Sequence, residues 1–134
     1  MAPGESGRGP GAGFFAAGAA LAGLAVAAGA FGAHAIQDSI TQAELATFDT
    51  GARYHMYHAL ALLVVGRLLS RRPNALLRAS AWLFIAGIFL FSGSLYGLAL
   101  TGEKALAYVT PVGGAAFLIG WGCLAVGSLL PPKP

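Results

Sequence analysis

Charged positions along this chain fall in clusters, separated by four long uncharged stretches: Gly11–Ala35, Tyr54–Gly66, Ala79–Gly102 and Ala105–Pro132. The first, third and fourth exceed the roughly 20 residues that carry a helix across a hydrocarbon core of about 30 Å. The second is shorter, but it becomes a span if Arg53 and Arg67 lie near the two interfaces. The pattern predicts an all-α integral membrane protein, an antiparallel four-helix bundle with spans at about 13–35, 52–70, 75–100 and 111–130. These make one transmembrane domain, residues 13–130. The Gly/Pro-rich residues 1–12 read as a disordered tail, and 131–134 as a short C-terminal one.

Local signals mark the ends. Thr41-x-x-Glu44 fits a capping box, and Leu45, Phe48 and Ala52 follow at helical spacing. They predict a short amphipathic helix in the first outer loop, running into the second span. Asp49 precedes Arg53 by four residues, the better order for a helical ion pair. Pro73 stops the second span, Thr110-Pro111 opens the fourth, and Pro131-Pro132 ends it. The first span is mostly Ala and Gly, which let another backbone approach closely, so it is expected to be the most enclosed helix. Gly29, Gly32, Gly93, Gly97, Gly113 and Gly114 are the candidate helix-packing glycines.

Composition agrees with this pattern. Hydrophobic residues make up 57% and charged residues 10%, against about 25% charged in an ordinary soluble domain. The net charge of +3 does not point to nucleic acid, because of where the cations lie. Arg67, Arg71, Arg72 and Arg78 surround one short turn, and with four spans that turn shares a side with Arg8 and Lys133. The other side holds Arg53 and Lys104 with the acids Asp38, Glu44, Asp49 and Glu103. The positive-inside rule then places both termini in the cytoplasm. The basic turn is placed to touch anionic headgroups. The N-terminus also resembles a secretory signal, ending at Ala33-His34-Ala35, but its apolar run is longer than a signal core of about 7–15 residues. Cys123 is the single cysteine, so no internal disulfide forms.

The candidate chemistry lies on one side of the membrane. Tyr54, His55 and His58 share about a third of the helix circumference, and His34 ends the first span at the same depth. Ser92, Ser94 and Tyr96 occupy the outer half of the third span. Polar groups in apolar surroundings need partners, which makes this set a candidate cluster. Each member also has a plainer reading. The tyrosines fit interfacial anchors, the histidines fit interhelical hydrogen bonding, and the glycines fit packing. His34, His55 and His58 could hold a metal, or two of them haem, although no acid or thiol completes the set. No P-loop or dinucleotide motif is present, and no carboxylate lies within a span.

Four motifs in order carry a resemblance: "GAFGAHA", "YHMYHALALL", "LFSGSLYGLALTG" and "TPVGGAAFLIGW". Together they resemble the family catalogued as domain of unknown function 423, small bacterial inner-membrane proteins related to eukaryotic transmembrane protein 256. The resemblance implies four spans and places His34, His55, His58, the Ser94 region and Pro111-Gly113-Gly114 in the family pattern. It supplies no mechanism. The expectation is a non-enzymatic structural, interaction or accessory protein of the inner membrane, without a cofactor. Its partners are the lipid bilayer and either another membrane protein or a second copy. The alternative is a small metal-, haem- or quinone-binding redox unit built on the outer cluster.

Overall fold

The computed structural model describes residues 7–132. Residues 1–6 of the expected disordered tail, and Lys133, lie outside the described residues. The ordered elements are α1 (Ala12–His34), α2 (Gln42–Arg71), α3 (Ala75–Gly87), α4 (Gly93–Thr101) and α5 (Thr110–Leu129). A π-helical turn, Ile88–Ser92, joins α3 to α4, and a 3-10 turn, Lys104–Tyr108, leads into α5. No strand occurs among the described residues. Since α3, the π turn and α4 run on as one 27-residue rod, the described residues make four rods. Three of them, Ala12–His34, Ala75–Thr101 and Lys104–Leu129, are long and apolar enough to cross a membrane. The rod outside this set is α2, in which Arg53, the histidines and the tyrosines dilute the apolar run.

Helix ends follow local chemistry. Thr41 Oγ1 accepts from the Glu44 N–H at 3.1 Å while the Glu44 carboxylate accepts from the Thr41 N–H at 2.9 Å. That box starts α2, which continues unbroken to Arg71. Asn74 Oδ1 accepts from the Leu77 N–H at 2.9 Å to cap α3, and its amide donates to the Gly127 carbonyl at 3.1 Å. Gly102 ends α4 at φ 71°, a left-handed conformation open to glycine at little cost.

The core corrects one expectation. Only Gly18, Ala25 and Gly32 of α1 are buried, whereas α2 buries eleven residues, among them Leu62, Val65 and Leu69. Small side chains let α1 come close to α2, but they supply little surface, and α1 packs chiefly on that one neighbour. The bulkier face of α2 makes it the central helix. Leu62, Val65 and Leu69 meet Leu77, Ala81 and Phe84 of α3 and Phe117 of α5. A second cluster joins Ile36, Phe48 and Ala99 near the other end. Small residues at such contacts let the helix backbones approach closely.

Helix contacts are ordered along each pair. Gly11 meets Gly66, Gly18 meets Ala59 and Leu63, and Gly32 meets Phe48. Across α2 and α4, Gly51 faces Tyr96. Asp49 turns its Oδ1 toward Gly32.

Candidate functional site

The midpoint of α2 places its two histidines in different surroundings. They are three residues apart, about 60° around the helix, enough to face different neighbours. His58 is 4% exposed. Its Nδ1 lies 2.7 Å from the Tyr54 carbonyl, and the Trp121 indole N–H donates to its Nε2 at 3.0 Å. An indole nitrogen can only donate, so Nε2 carries the lone pair. In the neutral ring Nδ1 then carries the proton and donates to the carbonyl. Both nitrogens are thereby committed. The ring stacks on Phe117 with centroids 3.4 Å apart and planes 8° apart, and it meets Phe84 edge-on at 5.5 Å.

His55 looks elsewhere. Its Nδ1 and the Tyr96 hydroxyl are 2.9 Å apart, and Tyr96 packs on Phe48 with centroids 4.8 Å apart. His55 Nε2 is buried without a hydrogen-bond partner. The Leu21 backbone lies toward His55 but makes no hydrogen bond of good geometry with that nitrogen. Ser92 Oγ is likewise buried and unpartnered. Ser94 Oγ donates to the Phe91 carbonyl at 2.9 Å and lies 2.6 Å from Thr110 Oγ1, tying α4 to the start of α5.

The expected polar cluster is therefore divided. His55 and Tyr96 belong to one setting, Tyr54 and His58 to a second, and Ser94 to a third. His34 ends α1 in an exposed position. Among the described residues, no group of three His, Cys, Asp or Glu side chains comes together to hold a metal ion, so the three-histidine ligand set is not assembled. The glycines divide as well. A Cβ on Gly32 would stand 3.0 Å from Phe48, one on Gly97 would stand 2.7 Å from Leu106, and one on Gly113 would strike the Phe91 backbone in the π turn. Gly114 has Phe91 at an ordinary 3.8 Å. Gly29 and Gly93, expected at helix contacts, have nothing within 4 Å of where a Cβ would stand.

What the second setting forms is a groove. α2 and α5 touch through the His58–Phe117 stack and the Trp121–His58 hydrogen bond, and beside those contacts lies a cavity of about 920 Å³. Thr50, Tyr54, Tyr57 and Pro111 line one end, and Leu60, Leu118 and Trp121 the other, with His58, Phe91 and Phe117 among its walls. The groove is thus hydroxyl-bearing at one end and apolar at the other. Its volume is within the roughly 300–1,000 Å³ of small-molecule sites. Phe91, Phe117 and Trp121 were not singled out by the sequence. The available signal was the four-residue spacing of Phe117 and Trp121, which puts both on one face of α5.

A family model described as "Protein of unknown function (DUF423)" matches residues 28–114. The chain belongs to the DUF423 family. It is 44% identical over 117 residues to the UPF0382 membrane protein YwdK of Bacillus subtilis (strain 168), which is 87% of this chain and 95% of that protein. It is 41% identical over 112 residues to the UPF0382 inner membrane protein YgdD of Escherichia coli (strain K12), 83% of this chain and 86% of that protein. It is also 44% identical to the UPF0382 membrane protein SAB0533 of Staphylococcus aureus (strain bovine RF122 / ET3-1), over 86% of this chain and 93% of that protein. No solved structure matches the chain. The family resemblance and the membrane class expected from the sequence both stand. The DUF423 match takes in His34, His55, His58 and Tyr96 and stops at Gly114. Phe117 and Trp121, which complete the groove on α5, lie beyond it.

Proposed function

We propose that this DUF423 protein is a non-enzymatic, four-span protein of the bacterial inner membrane whose α2–α5 groove holds an amphiphile drawn from the surrounding lipid. The observation that carries this reading is the commitment of both His58 nitrogens, to Tyr54 and Trp121. An imidazole so bound serves as a wall and leaves no free nitrogen for ligation or proton transfer. The groove it helps to form has hydroxyls where an interface would lie and aromatic and aliphatic surface deeper in, matching an amphiphile. Exposed Leu24, Val64, Trp82, Phe89, Leu118 and Ile119 on the outer surfaces suit contact with lipid, a partner membrane protein or a second copy.

The antiparallel bundle is supported by the paired contacts from Gly11–Gly66 to Gly32–Phe48. In this reading α2 is the fourth span. Its 30 residues measure about 45 Å, against about 30 Å of hydrocarbon. Its first turns, with Glu44 and Asp49, therefore extend into the headgroup region as the amphipathic surface segment that runs into the span. Residues 13–130 act as one transmembrane domain, with Arg67, Arg71, Arg72 and Arg78 on the cytoplasmic side beside both termini.

Two measurements test this. With Cys123 replaced by Ser, an impermeant maleimide added from outside should label Glu103→Cys and leave Arg71→Cys unlabelled until the cells are opened; the reverse pattern overturns the orientation. The chain has two tryptophans, so Trp82→Phe leaves Trp121 as the only indole. Phospholipids brominated along their chains should quench its emission, and unquenched emission would show the groove closed to lipid.

A second reading, a small redox unit, is favoured by the Tyr54 and Tyr57 side chains at the groove's hydroxyl end, where they would donate to a quinone carbonyl. Organic extraction of the purified protein with absorption spectroscopy decides it. Stoichiometric quinone supports this reading, and its absence removes it.

A further inference from the structure

The start of α1 and the end of α2 meet through their backbones. The Gly11 N–H donates to Ser70 Oγ at 3.1 Å. A Cβ on Gly66 would stand 2.7 Å from Phe15 N and 2.9 Å from the Gly11 carbonyl oxygen, so a side chain at position 66 would force the helices apart. This approach brings Arg8, just before α1, to the same cavity as Arg67, in the last turns of α2. The two arginines, with Gly7, Gly9, Gly66 and Ser70 among their neighbours, line a cavity of about 460 Å³. Phe15 and Arg67 also line a second cavity, of about 270 Å³, whose remaining walls are Leu63, Val64 and Leu68.

The two cavities share a wall and follow each other along α2. The basic one lies at the helix end, beside Arg67 and Ser70. The apolar one lies about one turn nearer the middle of the chain's apolar run, at Leu63 and Val64. A guanidinium pair suits phosphate oxygens through charge-assisted, bidentate hydrogen bonds. The adjoining aromatic and aliphatic surface suits a hydrocarbon chain. A free phosphate would use only the first half, and a zwitterionic headgroup would bring its own cation toward two arginines.

We infer that these joined cavities bind one anionic phospholipid, with its phosphate on Arg8 and Arg67 and an acyl chain along Phe15, Leu63, Val64 and Leu68. The site is separate from the α2–α5 groove and does not depend on what the groove holds.

The test is native mass spectrometry of the full chain in mild detergent, titrated with dioleoyl phosphatidylglycerol, dioleoyl phosphatidylcholine, dihexanoyl phosphatidylglycerol and inorganic phosphate. Dioleoyl phosphatidylglycerol should bind at one site and more tightly than the other three. Arg8→Gln and Arg67→Gln should each weaken it about fivefold, and the double variant about 25-fold. Arg78→Gln, a change at an exposed cation outside both cavities, should leave the affinity unchanged; an equal loss there would reveal a general charge effect and overturn the site. Equal binding of phosphatidylcholine, or undiminished binding by the double variant, also overturns it. Inorganic phosphate competing as well as the lipid would reduce it to a phosphate site and sink the phospholipid assignment. Circular dichroism and gel filtration of each variant confirm that a loss of binding is not a loss of fold.

Discussion

Trp121 of α5 donates its indole N–H to Nε2 of His58 on α2 at 3.0 Å, beside the Phe117 ring of the same helix, which stacks on His58. This single bond fixes the tautomer of His58 and positions the Trp121 ring as a wall of the groove.

Removing the donor should therefore cost more than one ordinary hydrogen bond. Trp121→Phe leaves a buried imidazole nitrogen unpaired, a loss of about 1–3 kcal/mol. Replacing both residues, as in Trp121→Phe with His58→Leu, should cost less than the sum of the two single changes. Unfolding of the four proteins in mild detergent checks this. Additive losses would mean that the bond contributes nothing.

The glycines make a paired prediction. At Gly113 a methyl group would strike the Phe91 backbone, and a backbone cannot swing aside as a side chain can. Gly113→Ala should lower the melting temperature sharply or prevent folding. At Gly93 nothing stands within 4 Å, and Gly93→Ala should be neutral or stabilise by up to about 1 kcal/mol through helix propensity. Thermal unfolding of the two variants side by side is the measurement.

Tyr96 and His55 give a third. Tyr96→Phe leaves His55 with neither ring nitrogen bonded, since Nε2 already lacks a partner. The variant should be destabilised by about 1–3 kcal/mol, and adding His55→Leu should recover part of that loss, because two matched apolar groups leave nothing unsatisfied. Chemical denaturation in detergent reads both effects. A double variant less stable than Tyr96→Phe would contradict the account of this pair.

Features governed by neighbouring residues were legible in the sequence. The Thr41–Glu44 capping box starts α2, Pro111 stands in the first turn of α5, and the three most apolar rods follow the uncharged runs. Features set by helix rotation were not. Whether His58 meets Trp121, 63 residues away, depends on how α5 is turned, and no local pattern encodes that. The π turn in Ile88–Ser92 has no signature in "IFLFS", and neither does the close approach of Gly113 to its Phe91 backbone. α1 is less enclosed than its small residues imply, because such residues permit contact without deciding how many neighbours a helix gains. Tyr54, His55 and His58 do share a face, as the periodicity implied, but a modest angle within that face separates His55 from His58.

The central claim is that His58 is a neutral, doubly bonded wall of the groove. Nitrogen-15 NMR of histidine-labelled protein, with His58 assigned by its loss in His58→Gln, tests this directly. The proton should reside on Nδ1, with Nε2 accepting from an indole N–H, and Trp121→Phe should shift the Nε2 resonance. A proton on Nε2, or a resonance indifferent to Trp121, would contradict it.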